Sequence, residues 1–134
     1  MAAAIVDTGP LVAFFDRAEK QHFWVGERIE ELDAPLLVCE AVITETMYLV
    51  SSRAQDALLA LLQNRVLVVG FRMEEEVVAV RQLMQKYRDT PMSLADACIV
   101  RMAEIHDRHA VLTLDSDFSI YRKKGRMPLT LISP

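Results

Sequence analysis

Five short runs of apolar residues recur along the chain, and each is continuous rather than alternating with polar positions. Continuous apolar runs are typical of strands that are covered on both faces of a sheet. The pattern therefore predicts five strands, at residues 3–6, 36–39, 66–69, 110–114 and 129–132.

Longer segments with helical spacing of apolar residues separate these runs. They predict helices at residues 10–15, 19–32, 41–51, 54–63, 74–88 and 93–107. Strands that are separated by helices favour an α/β fold, with three layers (α/β/α) around a central, mostly parallel five-stranded sheet. Right-handed crossovers then bring the carboxyl ends of the strands to one edge, where such folds place their sites.

The composition predicts a single domain over residues 1–134. Hydrophobic residues make up 52% and charged residues 25% of the chain, which excludes a disordered or low-complexity protein. Cys39 and Cys98 lie in apolar surroundings and indicate buried thiols in a reducing cytoplasm. No apolar stretch approaches the ~20 residues of a membrane span, and no signal peptide is evident, so we expect a cytoplasmic protein without a membrane partner.

The net charge of −4 is unevenly distributed. Residues 1–60 contain ten acidic and four basic residues, whereas residues 61–134 contain nine acidic and eleven basic residues. This balance excludes a protein that binds nucleic acid by bulk positive charge alone. Any contact with nucleic acid must be local or assisted by metal ions.

Several common catalytic motifs are missing. The four glycines are too scattered for a dinucleotide fingerprint or a phosphate-binding P-loop, and no G-x-S-x-G motif is present. His106 and His109 fall at a predicted helix end, where they complement the helix dipole. The sequence therefore gives little support to a zinc site.

Four acidic residues occupy unusual positions. Asp7 and Asp115 each follow a predicted strand, and Asp96 lies in the first turn of a predicted helix. Glu45 has only apolar residues three and four positions away in its helix, where a carboxylate is costly unless it meets a cation. The three aspartates also fit helix and turn caps, and Glu45 also fits an ion pair with an arginine such as Arg101, so both interpretations stay open.

A cluster of carboxylates without histidine or cysteine suits a hard cation, and Mg²⁺ or Mn²⁺ fits it best. Such ions support phosphodiester hydrolysis, because they lower the pKa of an attacking water and stabilise charge on the phosphate oxygens.

At these residues the chain resembles the PIN-domain family of ribonucleases, which includes VapC-type toxins. Four motifs carry the resemblance in the family's order over essentially the whole chain: Ile5-Val6-Asp7-Thr8, Thr44-Glu45, Leu94-Ala95-Asp96-Ala97 and Thr113-Leu114-Asp115-Ser116-Asp117-Phe118.

The resemblance implies an endoribonuclease that depends on Mg²⁺ or Mn²⁺. Asp7, Glu45, Asp96 and Asp115 would be the catalytic, metal-binding acids, and Asp117 would bind metal through water. It also implies an RNA substrate, a homodimer and a small cognate antitoxin as partners. Thr8 and Thr113 would position a ligand or a phosphate.

The segment 122–126 is rich in bases next to the last acidic motif. We expect its four cations to bind substrate phosphates, the alternative being a solvated turn; they are Arg122, Lys123, Lys124 and Arg126. Tyr121 and Phe118 offer rings that could stack on unpaired bases, although Phe118 also suits the core.

Two other functions remain open. The same acids would serve a Mg²⁺-dependent phosphohydrolase of small molecules, and the same scaffold would serve a non-catalytic module that binds nucleic acid or another protein.

Overall fold

A parallel sheet surrounded by helices forms the molecule, which is described here from a computed structural model of residues 3–134. The strands of the described chain are β1 (Ala4–Val6), β2 (Leu36–Val38), β3 (Leu67–Val69), β4 (Ala110–Leu112), β5 (Arg122–Lys123), β6 (Met127–Pro128) and β7 (Leu131–Ile132). Its α-helices are α1 (Thr8–Phe15), α2 (His22–Glu31), α3 (Glu40–Leu49), α4 (Ser52–Gln63), α5 (Met73–Lys86) and α6 (Leu94–Ile105).

The central sheet has five strands in the order β3-β2-β1-β4-β7, and all its pairs are parallel. In its middle strand, Ile5 lies opposite Leu37 on one side and Val111 on the other. β1, β2 and β4 are buried throughout, as their continuous apolar sequences predicted. The predicted three-layer α/β/α fold with a five-stranded sheet is confirmed.

The parallel arrangement brings the ends of β1 and β4 together. The backbone N–H of Asp7, just past β1, donates to the carbonyl oxygen of Leu112 at 3.0 Å. The chain then turns into α1 after β1 and into a short 3₁₀ helix (Ser116–Ser119) after β4. Residues that follow both strands therefore meet at the carboxyl edge of the sheet.

One element differs in kind from the prediction. The sequence predicts no strand in the basic segment. The segment forms the antiparallel hairpin β5–β6, with Arg122 opposite Pro128 and Lys123 opposite Met127. Lys124 and Gly125 both have positive φ, at 52° and 84°, which closes the short loop between the strands. β7 accordingly begins two residues later than predicted.

The helices match their predicted positions within about three residues. α1 begins at Thr8, before Pro10, because Asp7 caps it. In the described part of the chain, no helix is long and apolar enough to cross a membrane. The single domain over residues 1–134 stays a prediction, and its first two residues lie outside the described part.

Candidate metal centre

A cleft of about 440 Å³ opens at the carboxyl edge of the sheet. It brings together four of the acids singled out in the sequence, from β1, α3, α6 and the end of β4. Its lining consists of Asp7, Thr8, Gly9, Glu45, Pro91, Ser93, Asp96, Leu114 and Asp115. The assignment of these acids as metal ligands stays a prediction, but their convergence is a property of the fold.

Asp7 is nearly buried at the base of the cleft and accepts two hydrogen bonds. The backbone N–H of Thr8 donates to its Oδ1 at 2.8 Å, and the Thr113 hydroxyl donates to its Oδ2 at 2.8 Å. Burial raises the pKa of Asp7 to about 6, and the nearby charges of Asp96 and Asp115 add to the rise, which these hydrogen bonds partly offset. Ionisation of Asp7 in the folded protein therefore costs free energy.

Asp96 is both a helix cap and a wall of the cleft. Its Oδ2 accepts from the backbone N–H of Ser93 at 3.3 Å, while its own N–H donates to Ser93 Oγ at 3.0 Å, which completes a capping box. The same Oδ2 accepts from the hydroxyl of Tyr121 at 3.1 Å. Burial raises the pKa of Asp96 above its ordinary value, and the charge of Asp115 contributes.

Glu45 reaches the cleft from the side of α3. The Thr8 hydroxyl donates to its Oε1 at 2.6 Å, which ties α3 to the start of α1. The apolar neighbours of Glu45 in α3 differ in burial: Val42 is buried, but Tyr48 and Leu49 are exposed. Glu45 itself is half-buried, between the start of α1 and these exposed side chains. The suggested pairing with Arg101 does not occur, since that guanidinium binds Glu76 and Glu104.

Asp115 is exposed at the rim of the cleft. Its Oδ1 accepts from the backbone N–H of Asp117 at 2.9 Å, so it caps the 3₁₀ helix that follows β4. Asp117 itself is absent from the lining of the cleft. Its predicted role as a ligand through water therefore stays a prediction.

The capping interpretation of the three aspartates is correct, and it does not compete with a site. A carboxylate oxygen has two lone pairs, so an oxygen of Asp7 or Asp115 that accepts one N–H or O–H still has one free for a cation. Oδ2 of Asp96 accepts two hydrogen bonds, so a cation would bind this carboxylate through Oδ1. Capping places each aspartate where a strand ends or a helix begins, and those positions converge at one edge.

The donor set fits a hard cation. Among residues 3–134, no three histidine, cysteine, aspartate or glutamate side chains are gathered closely enough to enclose an ion directly. Mg²⁺ keeps several of its waters and uses one or two carboxylates directly, which an open cleft lined by four acids allows. Burial is the main reason that the pKa of Asp7 is raised, and the charges of Asp96 and Asp115 add to it; a bound cation would offset both effects by stabilising the ionised carboxylate.

The two lysines of the basic segment are already engaged in ion pairs. Lys123 is only 5% exposed, and its ammonium group donates to Oδ1 and the carbonyl oxygen of Asp107, at 3.0 and 3.2 Å. Lys124 also pairs with Asp107, at 3.4 Å. Asp107 follows the C-terminal end of α6, whereas Asp96 lies in its first turn, about 15 Å away along the helix axis. A phosphate-binding role at the cleft for Lys123 and Lys124 does not fit this arrangement.

The two arginines of the same segment keep donor groups available for a ligand. One guanidinium nitrogen of Arg122 donates to the carbonyl oxygens of Ser119, Ile120 and Tyr121, which leaves its other donors for another partner. Arg126 is exposed at the hairpin loop. Substrate binding by these arginines stays a prediction.

Three further expectations change. Thr113 is fully buried, so it holds Asp7 and cannot touch a substrate. Phe118 and Tyr121 are also fully buried and pack edge to face, so neither ring can stack on a base. Tyr121 instead positions Asp96, a role that no local pattern predicted, because the two residues are 25 positions apart. Thr8 lines the cleft, with its hydroxyl already donated to Glu45, and its contact with a ligand or phosphate stays a prediction.

Comparison with known proteins identifies the family of this chain. Residues 4–124 match the PIN domain, and the chain belongs to the PIN-domain family. It is similar to the ribonuclease VapC26 of Mycobacterium tuberculosis strain H37Rv, with 35% identity over 136 aligned positions that cover 96% of this chain and 98% of the relative.

Proposed function

We propose that the chain is an endoribonuclease that hydrolyses RNA phosphodiester bonds with a divalent cation, Mg²⁺ or Mn²⁺. The observation that carries the proposal is the convergence of Asp7, Glu45, Asp96 and Asp115 in one cleft that contains no basic residue. Membership of the PIN-domain family and the likeness to a named ribonuclease support RNA as the substrate.

The four acids would hold the cation, and Thr8, Thr113 and Tyr121 would hold the acids. Each hydroxyl donates to a different carboxylate, Glu45, Asp7 and Asp96 respectively. These bonds orient the ligands before a cation arrives, so little reorganisation is needed on binding. A bound divalent cation would lower the pKa of a water and stabilise negative charge on the phosphate.

Incubation of the protein with structured and unstructured RNAs tests this proposal. We expect cleavage in Mg²⁺ or Mn²⁺ that EDTA abolishes, with 5′-phosphate and 3′-hydroxyl ends, because water is the nucleophile. Cyclic 2′,3′-phosphate ends, or cleavage that survives EDTA, would contradict the mechanism. Turnover of a small phosphate ester without RNA cleavage would favour the phosphohydrolase, and RNA binding without cleavage would favour the non-catalytic module.

The family and the relative also support a biological setting. We propose that this protein is the toxin of a toxin–antitoxin pair, acts in the cytoplasm as a homodimer, and is silenced by a small antitoxin. A short reading frame directly upstream of the gene, and a dimer mass in sedimentation equilibrium, are the expected findings.

A further inference from the structure

An apolar groove adjoins the acidic cleft. It encloses about 490 Å³, and its lining consists of Thr8, Thr44, Glu45, Tyr48 and Leu49. Thr8 and Glu45 line both the groove and the cleft, so the two form one continuous surface. A ligand that touches Thr8 or Glu45 in the groove therefore touches a residue of the cleft as well.

The aromatic wall of the groove is unusually open. Tyr48 is 89% exposed and Leu49 is 60% exposed, at the end of α3. Both follow Glu45 by about one helical turn, which spans about 5.4 Å. Large apolar side chains side by side in solvent mark a binding surface rather than a core.

We propose that this groove is a base-binding subsite, in which an unpaired RNA base next to the cleaved bond stacks on the ring of Tyr48. The inference rests on the proposed ribonuclease function and adds to it a preference for unstacked, single-stranded RNA. Stacking on an aromatic ring tolerates any base, because every base has a π face.

Charge favours a base over the other parts of the nucleotide. The groove is lined by Glu45 and by neutral side chains, without a basic residue. A phosphate in the groove would meet a carboxylate, whereas a base is uncharged and brings a flat apolar face. The Thr44 hydroxyl donates to the carbonyl oxygen of Glu40 at 3.0 Å, so its lone pairs face outward as acceptors for a base amino group.

The shared lining of the groove and the cleft also favours RNA over a second copy of the chain. A second copy of the chain seated on Tyr48 would contact Glu45 and obstruct the mouth of the acidic cleft, which the active enzyme needs open for RNA. A base beside its own phosphate instead occupies the groove and the cleft together.

Steady-state kinetics on an unstructured oligoribonucleotide that the wild type cuts would test the subsite. We expect Tyr48→Ala to raise KM by roughly 5- to 150-fold, the usual effect of removing one stacking residue, with little change in kcat. Tyr48→Phe keeps the ring and should behave as the wild type. Phe23→Ala removes an aromatic side chain of similar exposure, 75%, that lines neither the groove nor the cleft, and should change nothing.

A substrate with one abasic nucleotide completes a double-mutant cycle. At one position beside the cleaved bond, loss of the base should raise the KM of the wild type and leave the KM of Tyr48→Ala unchanged. If Tyr48→Ala has the same KM as Phe23→Ala, or if it changes the oligomeric mass in sedimentation, the proposed subsite is wrong. Neither outcome would contradict the proposed ribonuclease function. A wild type that cuts no RNA would overturn both proposals.

Discussion

At the scale of single residues, each acid of the cleft is fixed by a specific donor. Hydroxyl groups reach three of them, and the backbone N–H of Asp117 reaches Asp115. The three hydroxyl donors come from elements that are distant along the chain, so the positions of these three acids depend on the whole fold. Substitutions that keep size but remove one charge or one hydroxyl are therefore informative.

Asp7→Asn separates a metal ligand from a simple cap. The raised pKa of Asp7 means that the folded state binds a proton more tightly than the unfolded state, so this residue favours folding below pH 4 and that benefit is lost as the pH rises through about 6. We expect the metal-free wild type to lose about 3 kcal/mol of stability over this window relative to Asp7→Asn. Urea unfolding in EDTA at several pH values measures the difference.

The same variant should lose RNA cleavage and most of the stabilisation by Mg²⁺, since asparagine caps a helix but carries no charge. Identical pH profiles in EDTA would contradict the raised pKa. Full cleavage activity with an unchanged Mg²⁺ effect on the melting temperature would remove Asp7 from the metal site.

Tyr121→Phe tests whether a buried hydroxyl positions Asp96. Burial and the adjacent Asp96 raise the pKa of Tyr121, so its hydroxyl stays protonated and remains a donor at neutral pH. Removing it should weaken metal binding by roughly 10- to 100-fold, as loss of a hydrogen bond to a metal ligand generally does. Calorimetric titration with Mn²⁺ gives the affinity.

Tyr87→Phe is the matched control. Tyr87 is also buried, packs against Tyr121 at 5.1 Å between ring centroids, and accepts from the N–H of Arg122 rather than donating to an acid. It should cost about 1 kcal/mol of stability without changing the affinity for Mn²⁺. Equal effects of the two variants on metal affinity would assign Tyr121 to the core alone.

At the scale of elements, the hairpin β5–β6 is bound to the far end of α6 through its lysines. Both Lys123 and Lys124 lower the pKa of Asp107, so these pairs stabilise the fold at neutral pH and are lost as the pH falls through that lowered value. The hairpin also receives the Lys86 ammonium at the carbonyl oxygen of Gly125, at 3.0 Å. The two lysines of the hairpin therefore attach it to α6.

Lys123→Met should therefore lower the melting temperature by a few degrees and leave KM for RNA unchanged. The methionine keeps the buried stem but leaves Asp107 without its closest cation. Arg126→Met changes an exposed cation of the same segment and should not affect stability. Thermal unfolding and cleavage kinetics distinguish the outcomes, and a raised KM with normal stability would restore the phosphate-binding role of Lys123.

At the scale of the whole molecule, the net charge of the protein and the charge of its cleft are both negative, and so is the charge of RNA. The net charge is −4, and none of the residues that line the cleft is basic. Attraction between this surface and RNA therefore requires a cation between them.

RNA binding should accordingly depend on divalent cations even without cleavage. We expect an unstructured RNA to bind more tightly in Ca²⁺, a cation of the same charge and oxygen preference, than in EDTA at equal ionic strength. Fluorescence anisotropy of a labelled oligonucleotide gives both affinities. Equal binding in EDTA would mean that RNA attaches elsewhere, with the arginines of the hairpin as the first surface to examine.

The local patterns of the sequence determined the sheet, the helices and the acids of the cleft. Uninterrupted apolar runs specify buried strands, and in a parallel sheet those strands bring Asp7 and Asp115 to one edge whatever the packing details. Ser93 and Asp96 form their capping box within a single turn, so the sequence was enough to predict it. These features are short-range, and a short-range pattern predicts them.

Only the tertiary structure decided which side chains are covered and which charges are already paired. Tyr48 and Tyr121 look alike as aromatic residues near acids, yet one is 89% exposed and the other fully buried. Lys123 is neutralised by an aspartate 16 positions away, and Asp96 is held by a tyrosine 25 positions away. Helical periodicity identifies the faces of α3 but not which face another element covers, because that depends on packing between segments distant in the chain.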